Sequence, residues 1–390
     1  MTMLKMFLRH TWLLVVAAVL VACGSPPTIQ TPAPVPVEKP PAPAALPAAV
    51  SSEVPTLPNL QRGTSRWVAV SWSELPGLEA DTLFEAWNAW LKSCERPGPD
   101  FAPLCAEVRR LSIGTDGEQR QWLMARLQPY RVESLQDQSS GLLTAYYEPE
   151  FEARRTLGPG FAVPLFRPPA SLNSRKPWFS RQEMETLPEA QAALRGREIA
   201  YLADPVQAML LHIQGSGRLR MTEPDGSQKW VRLAYAANNG QAYQSIGRWL
   251  LDQGEVRDAS WPGIHAWMLQ NPQRVSELMW RNPRVVFFKE ETLSDFERGF
   301  GPRGAQGVPL TPGRSIAVDP DSIPFGTPVW LASDGPQLSL QRLVLAQDTG
   351  SAIRGAVRAD YFAGWGAQAG ELAGRLKQPL RMWVLWPKTR

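Results

Sequence analysis

The sequence predicts a mainly β protein with some helices, in which a second domain interrupts the first. Three observations carry this expectation. Short apolar runs of strand length recur through the chain and are bounded by Pro or Gly. After the run at 141–147 prolines punctuate the chain. Apolar residues at helical spacing are confined to a few segments, and a mixed stretch at 149–284 separates two regions of strand-like pattern.

Taken in order, the N-terminus sets the compartment. Lys5 and Arg9 precede an apolar run from Trp12 to Val21, and the run stops at Leu20-Val21-Ala22-Cys23-Gly24. That is the shape of a bacterial lipoprotein signal over residues 1–22. Its core of about ten residues is too short for a bilayer roughly 30 Å thick. Cys23 is expected to become the lipidated first residue, anchored stably by its acyl chains; an ordinary secretory signal with an incidental Cys is the alternative. Gly24 and Ser25 follow in place of an inner-membrane retention aspartate, which directs the anchor to the outer membrane, facing the periplasm. Residues 23–60 are dense in Pro and Ala and read as a tether, reaching on the order of 100 Å if extended at about 3.1 Å per residue.

The first domain opens at residue 61. Leu83, Phe84, Trp87, Trp90, Leu91 and Cys94 fall on one helical face, predicting a helix over 81–94; a second helix is expected at 118–127 and a strand at 141–147. The interrupting domain, 149–284, offers strands at 161–166, 206–214 and 230–236, then helices at 241–253, 261–271 and 273–281. From residue 285 the first domain is expected to resume, with Val285-Val286-Phe287-Phe288 and short strands at 315–318, 327–331, 343–347 and 381–386.

Cys94 and Cys105 are the only other cysteines. An oxidising periplasm permits them to pair across ERPGPDFAP, contributing about 3 kcal/mol through the unfolded state; two buried free thiols are the alternative. No zinc site can be completed from them, and no metal or cofactor is expected. The net charge of +4, about +2 once Lys5 and Arg9 leave with the signal, comes without a basic cluster, so nucleic acid is not an expected partner. Sixteen Trp exceed the 13 Phe and 7 Tyr; most are expected in the core, and some suit stacking on sugar rings.

The chemistry concentrates between Leu343 and Phe362, LVLAQDTGSAIRGAVRADYF. Asp348 ends one apolar run, Asp360 opens the next, and Gly350 and Gly355 allow a tight turn between them. Asp319 stands at the end of a further run, SIAV. Each aspartate also suits a turn cap or a partner for Arg354 or Arg358. If all three converge, one can remain protonated near neutral pH and serve as a general acid, as cleavage of a glycosidic bond requires.

IAVDP, IPFGT, AQDTGSAIRG and RADYF, in this order, resemble the three-aspartate double-psi β-barrel domain of the membrane-bound lytic murein transglycosylase A family. LLTAYYEPEF, HIQGSGRL and YAANNGQAYQSIGRWLLDQGEV resemble its upstream signatures. The resemblance implies a double-psi β-barrel domain (61–148 and 285–390) interrupted by a smaller β-rich glycan-binding domain (149–284), with the substrate groove between them. It implies non-hydrolytic cleavage of the β-1,4 bond between N-acetylmuramic acid and N-acetylglucosamine in peptidoglycan, leaving 1,6-anhydro ends. Asp360 would be acid and then base, supported by Asp348 and Asp319.

Thr144, Tyr146 and Tyr147 could present hydroxyls and rings to the glycan, or form a buried strand. Gln214, Gly215, Ser216 and Gly217 could present an amide and backbone N–H groups, or form a tight hairpin. Family members often carry His two residues before the last aspartate, where this chain has Arg358, so no role for that His is carried over. Two other functions stay open: a glycan-binding lipoprotein without activity, and a hydrolase in which Asp348 helps Asp360 activate water. Peptidoglycan strands and the outer membrane are the expected partners, with cell-wall synthesis complexes a further possibility.

Overall fold

A computed structural model describes residues 57–388. The signal, Cys23 and nearly all of the tether lie outside the described residues. Before the interruption the chain forms β1 (Leu60–Arg62), β2 (Ser65–Ala69), β3 (Leu127–Ser134) and β4 (Gly141–Glu148). The interrupting region supplies β5 (Glu150–Arg154), β6 (Val163–Phe166), β7 (Glu198–Leu202), β8 (Gly217–Thr222), β9 (Gln228–Asn238) and β10 (Val286–Thr292). The chain then returns with β11 (Ser315–Val318), β12 (Pro328–Ser333), β13 (Leu340–Asp348), β14 (Arg358–Trp365) and β15 (Lys377–Pro387).

Two sheets result. One has the order β1-β2-β3-β15-β12-β13-β11-β14-β4, and a further pairing of β15 with β4 closes six of its strands into a barrel. The length of β15 makes this possible. Its first half, Lys377–Leu380, pairs with β4, and its second half, Trp383–Pro387, pairs with β3. The other sheet, β10-β9-β8-β5-β7-β6, is the inserted domain. Val286–Phe288, expected to resume the first domain, instead pair with β9, so the insert extends one strand beyond residue 284.

The barrel core is tryptophan-rich, as expected: Trp67, Trp87, Trp90, Trp330 and Trp383 are fully buried. A helix over Leu83–Ser93 packs Leu83, Trp87 and Trp90 inward, while Phe84, placed on the same face by the sequence, is 58% exposed. Its end is tied by a disulfide from Cys94 to Cys105, which opens the helix Cys105–Arg110. Asp81 receives Arg314 Nη1 and the Leu343 N–H, each at 2.8 Å, joining that helix to the barrel.

Residues 206–214 form no strand. Asp204 accepts from the Val206 N–H at 2.8 Å, Pro205 sits in the first turn, and Gly215 ends the segment at φ 81, so Pro205–Gln214 is a capped helix. The continuous apolar stretch obscured a helix whose ends were nevertheless written in Asp, Pro and Gly. Among the described residues no helix is long and apolar enough to cross a membrane.

Where β4 leaves the barrel for the insert, Glu148 is fully buried. Arg218 Nε donates to it at 2.7 Å from β8 and Arg232 Nε at 2.6 Å from β9. Both guanidinium groups also donate to the Phe300 carbonyl, and that of Arg218 stacks over Trp365 of the barrel at 4.0 Å. This charge cluster fixes the insert against the barrel.

Candidate active site

Strand β11 brings the two aspartates together. It runs parallel to β13 on one side and antiparallel to β14 on the other, and its Ala317 stands opposite Asp348 on β13 and Asp360 on β14. A small residue between them leaves both carboxylates free to enter one cavity of about 720 Å³. That cavity is walled by the barrel through Tyr146 and Ala305 and by the insert through His212, Gln214 and Tyr235.

The carboxylates differ in their partners. Asp348 Oδ2 accepts from the Tyr146 hydroxyl at 2.8 Å and its Oδ1 from the Ala305 N–H at 2.9 Å. Asp360 Oδ1 accepts from the Thr144 hydroxyl, its one hydrogen-bond donor among the described residues. Thr144 Oγ1 in turn accepts from Arg358 Nη2 at 2.8 Å. The register of β14 against β4, which sets Asp360 beside Thr144 and Phe362 beside Tyr146, builds both arrangements.

Burial pushes both carboxyl groups above their ordinary value. For Asp348 the hydrogen bonds oppose that rise and the nearby Asp360 charge adds to it; for Asp360 only the Thr144 hydroxyl and the Arg358 charge oppose it. A carboxyl with few donors is the better store for a proton, which favours Asp360 as the acid. His212 stays neutral: burial and Arg181 hold its imidazole well below the ordinary value, and its Nδ1 accepts from the Val286 N–H.

Asp319 does not join the pair in the cavity. Its buried carboxylate accepts from the Gly355 N–H at 2.8 Å and from Arg354 at 3.4 Å, so it secures the loop that joins β13 to β14. The expectation that three carboxylates converge is corrected to two, because Asp319 lies beyond the end of β11 and serves the turn. Thr144 and Tyr146 meet the two aspartates with their hydroxyls. Tyr147 faces a smaller cavity of about 270 Å³ that shares Ile213 and Gln214 with the first and includes Tyr243 and Trp261. Gln214 Oε1 accepts from the Tyr147 N–H at 3.0 Å.

Gly215 and Ser216 line the main cavity, but as a helix end, not a hairpin. Gly217 is corrected to a packing role, since a Cβ there would stand 2.1 Å from Leu211 Cδ2. Sequence reasoning missed Ala305 and Ala317, whose contribution is backbone position alone. Arg358 carried a signal, being the one departure noted from the resembled pattern.

The match to known proteins runs through both parts of this site. Residues 142–289 match the MltA specific insert domain and residues 314–386 the 3D domain. Membrane-bound lytic murein transglycosylase A of Escherichia coli (strain K12) is 34% identical over 314 residues, covering 73% of this chain and 81% of the relative. The chain belongs to the membrane-bound lytic murein transglycosylase A family. Among solved structures, the lytic transglycosylase LtgG of Burkholderia pseudomallei is 40% identical, with a TM-score of 0.58 over 86% of this chain and 99% of that one. E. coli MltA with bound chitohexaose is 26% identical, with a TM-score of 0.64 over 78% of this chain and 90% of that one. The family membership accounts for the two-part architecture, a barrel carrying Asp348 and Asp360 with an insert forming the facing wall.

Proposed function

We propose that this protein is a lytic murein transglycosylase, an enzyme that cleaves the β-1,4 bond between N-acetylmuramic acid and N-acetylglucosamine in peptidoglycan and leaves 1,6-anhydromuramic acid ends. The observation that carries the reading is the unequal pair of buried carboxyls, Asp348 and Asp360, set on either side of Ala317 in one cavity of about 720 Å³ between barrel and insert. Asp360, protonated, donates to the bridging oxygen as positive charge develops at C1. The same carboxylate then accepts the proton of the muramic acid C6 hydroxyl, which attacks its own C1. Because the nucleophile is internal, no water need be placed, and its proximity lowers the barrier by several kcal/mol.

Asp348 supports the ion at C1. Held by Tyr146 and Ala305, it faces the same space with its orientation set. Asp319 positions the loop between the two strands. Gln214, Gly215 and Ser216 form the insert side of the glycan groove, and Tyr147 its continuation toward Tyr243 and Trp261. The curated relatives are named membrane-bound; for this chain the reading is an outer-membrane anchor through lipid on Cys23, facing the periplasm. No cofactor takes part in these steps.

Digestion of purified sacculi followed by product mass tests the function. Anhydro ends are expected. Reducing ends would establish hydrolysis instead, and absence of soluble fragments a binding protein. Acyl labelling and membrane fractionation of Cys23→Ser test the anchor, with release from the membrane fraction expected and unchanged labelling overturning it.

A further inference from the structure

The cavity that holds Asp348 and Asp360 is rimmed by five cations: Arg96, Arg303 and Arg354 from the barrel side, Arg284 and Lys289 from the insert side. Two of these are neutralised. Lys289 pairs with Glu291 at 2.8 Å and Arg354 with Asp319 at 3.4 Å. The other three form no ion pair among the described residues. Arg96 and Arg303 meet at one glycine: Arg303 Nη1 donates to the Gly307 carbonyl at 3.0 Å, and a Cβ on Gly307 would stand 2.6 Å from Arg96 Nη1. Gly307, at φ +84, therefore both makes the turn and leaves room for Arg96. Arg284, tethered by its Nη1 to the Gln241 carbonyl at 3.1 Å, faces the same space.

Neutral sugar does not call for this arrangement. Asp348, Asp360 and Glu291 line the same cavity, yet none of them pairs with these three guanidinium groups, whose planar forks are matched to carboxylates. Peptidoglycan differs from a neutral chitin oligomer in this respect, because each muramic acid bears a lactyl group that carries a peptide stem with free carboxylates. We infer that Arg96, Arg303 and Arg284 form a carboxylate site beside the aspartate pair that takes the peptide stem of the muramic acid being cleaved. The inference rests on the lytic reading above and adds a preference for stem-bearing strands.

The test uses the whole protein, Arg96→Gln, Arg303→Gln and Arg284→Gln, and three probes. These are glycan strands with stems, the same strands stripped by an amidase so that only the lactyl carboxylate remains, and chitohexaose. With stem-bearing strands KM is expected to rise roughly tenfold for each arginine removed, and the rise of wild-type KM with salt should flatten in the variants. On stripped strands the same variants should change KM by less than about twofold, and the Kd for chitohexaose should hold. An unchanged KM on stem-bearing strands overturns the inference. So does an equal rise on stripped strands, which would assign the arginines to the lactyl carboxylate. If wild-type protein releases anhydro ends from neither strand, the lytic reading fails instead. Sedimentation of the variants with stem-bearing and stripped strands then still decides what the arginines bind.

Discussion

The Thr144 hydroxyl donates to Asp360 while accepting from Arg358 Nη2 at 2.8 Å. Arg358 therefore reaches Asp360 through a neutral relay. A direct guanidinium–carboxylate pair would hold Asp360 ionised; the relay orients it while burial keeps its pKa raised.

Thr144→Val keeps the shape and removes the donor, so the Asp360 carboxyl should hold its proton to higher pH. A hydrogen bond to a charged group is worth about 1.5–3 kcal/mol, or about one to two pH units. The alkaline limb of kcat/KM is expected to move up by that amount, with Thr144→Ser restoring the original limb. A fixed limb would show that the hydroxyl does not act on Asp360.

Asp360→Asn should lower turnover by at least about 10⁴-fold, since one group serves both proton transfers. It should also stabilise the fold at neutral pH. Burial raises the folded pKa of Asp360 above its ordinary 3.8, so the wild type is at its relative best while the group is protonated in both states, below that ordinary value. It loses stability as pH rises through the folded pKa. The Tm advantage of Asp360→Asn should therefore appear on raising the pH through this window and vanish below it. An equal advantage at all pH values would remove titration of Asp360 as its cause.

Tyr146→Phe retains the ring, which packs on Phe362 at 5.3 Å between centroids, and takes away the hydroxyl that donates to Asp348. Asp348 then loses a donor that favours its charged form. The expected loss is in kcat, roughly tenfold for one charge-assisted hydrogen bond, with chitohexaose affinity retained. Weakened affinity at full kcat would make Tyr146 a glycan contact instead.

Much of this site was legible because its residues lie at strand ends. The run LVLAQD and the run RADYF announced β13 and β14 through period and punctuation, and the resemblance supplied their roles. What escaped was set by distant pairing. Nothing local to SIAV says that Ala317 will stand between two aspartates, since that follows from β11 having β13 and β14 as neighbours. Asp319 differs for the same reason: like the others it stands at the end of an apolar run, but its partner is the Gly355 N–H across the loop. The strand expected at 206–214 shows the complementary failure, an apolar run whose period was ambiguous and whose capping signals outweighed it.

Glu148 offers a test of how the groove is held. Its carboxylate, with no solvent exposure, accepts from Arg218 at 2.7 Å and Arg232 at 2.6 Å, and these come from the insert while Glu148 comes from the barrel strand β4. Glu148→Gln leaves two buried guanidinium groups facing each other without an anion, a loss of about 3–5 kcal/mol, to be measured by urea unfolding. Replacing the whole cluster removes the buried charges together. The triple variant Glu148→Leu, Arg218→Met and Arg232→Met should accordingly recover most of that stability. Its activity should still fall, because the carbonyls of Arg298 and Phe300 lose the donors that fix the loop entering the barrel. Recovery of stability without loss of kcat would show that the cluster serves folding alone and that other contacts set the width of the groove.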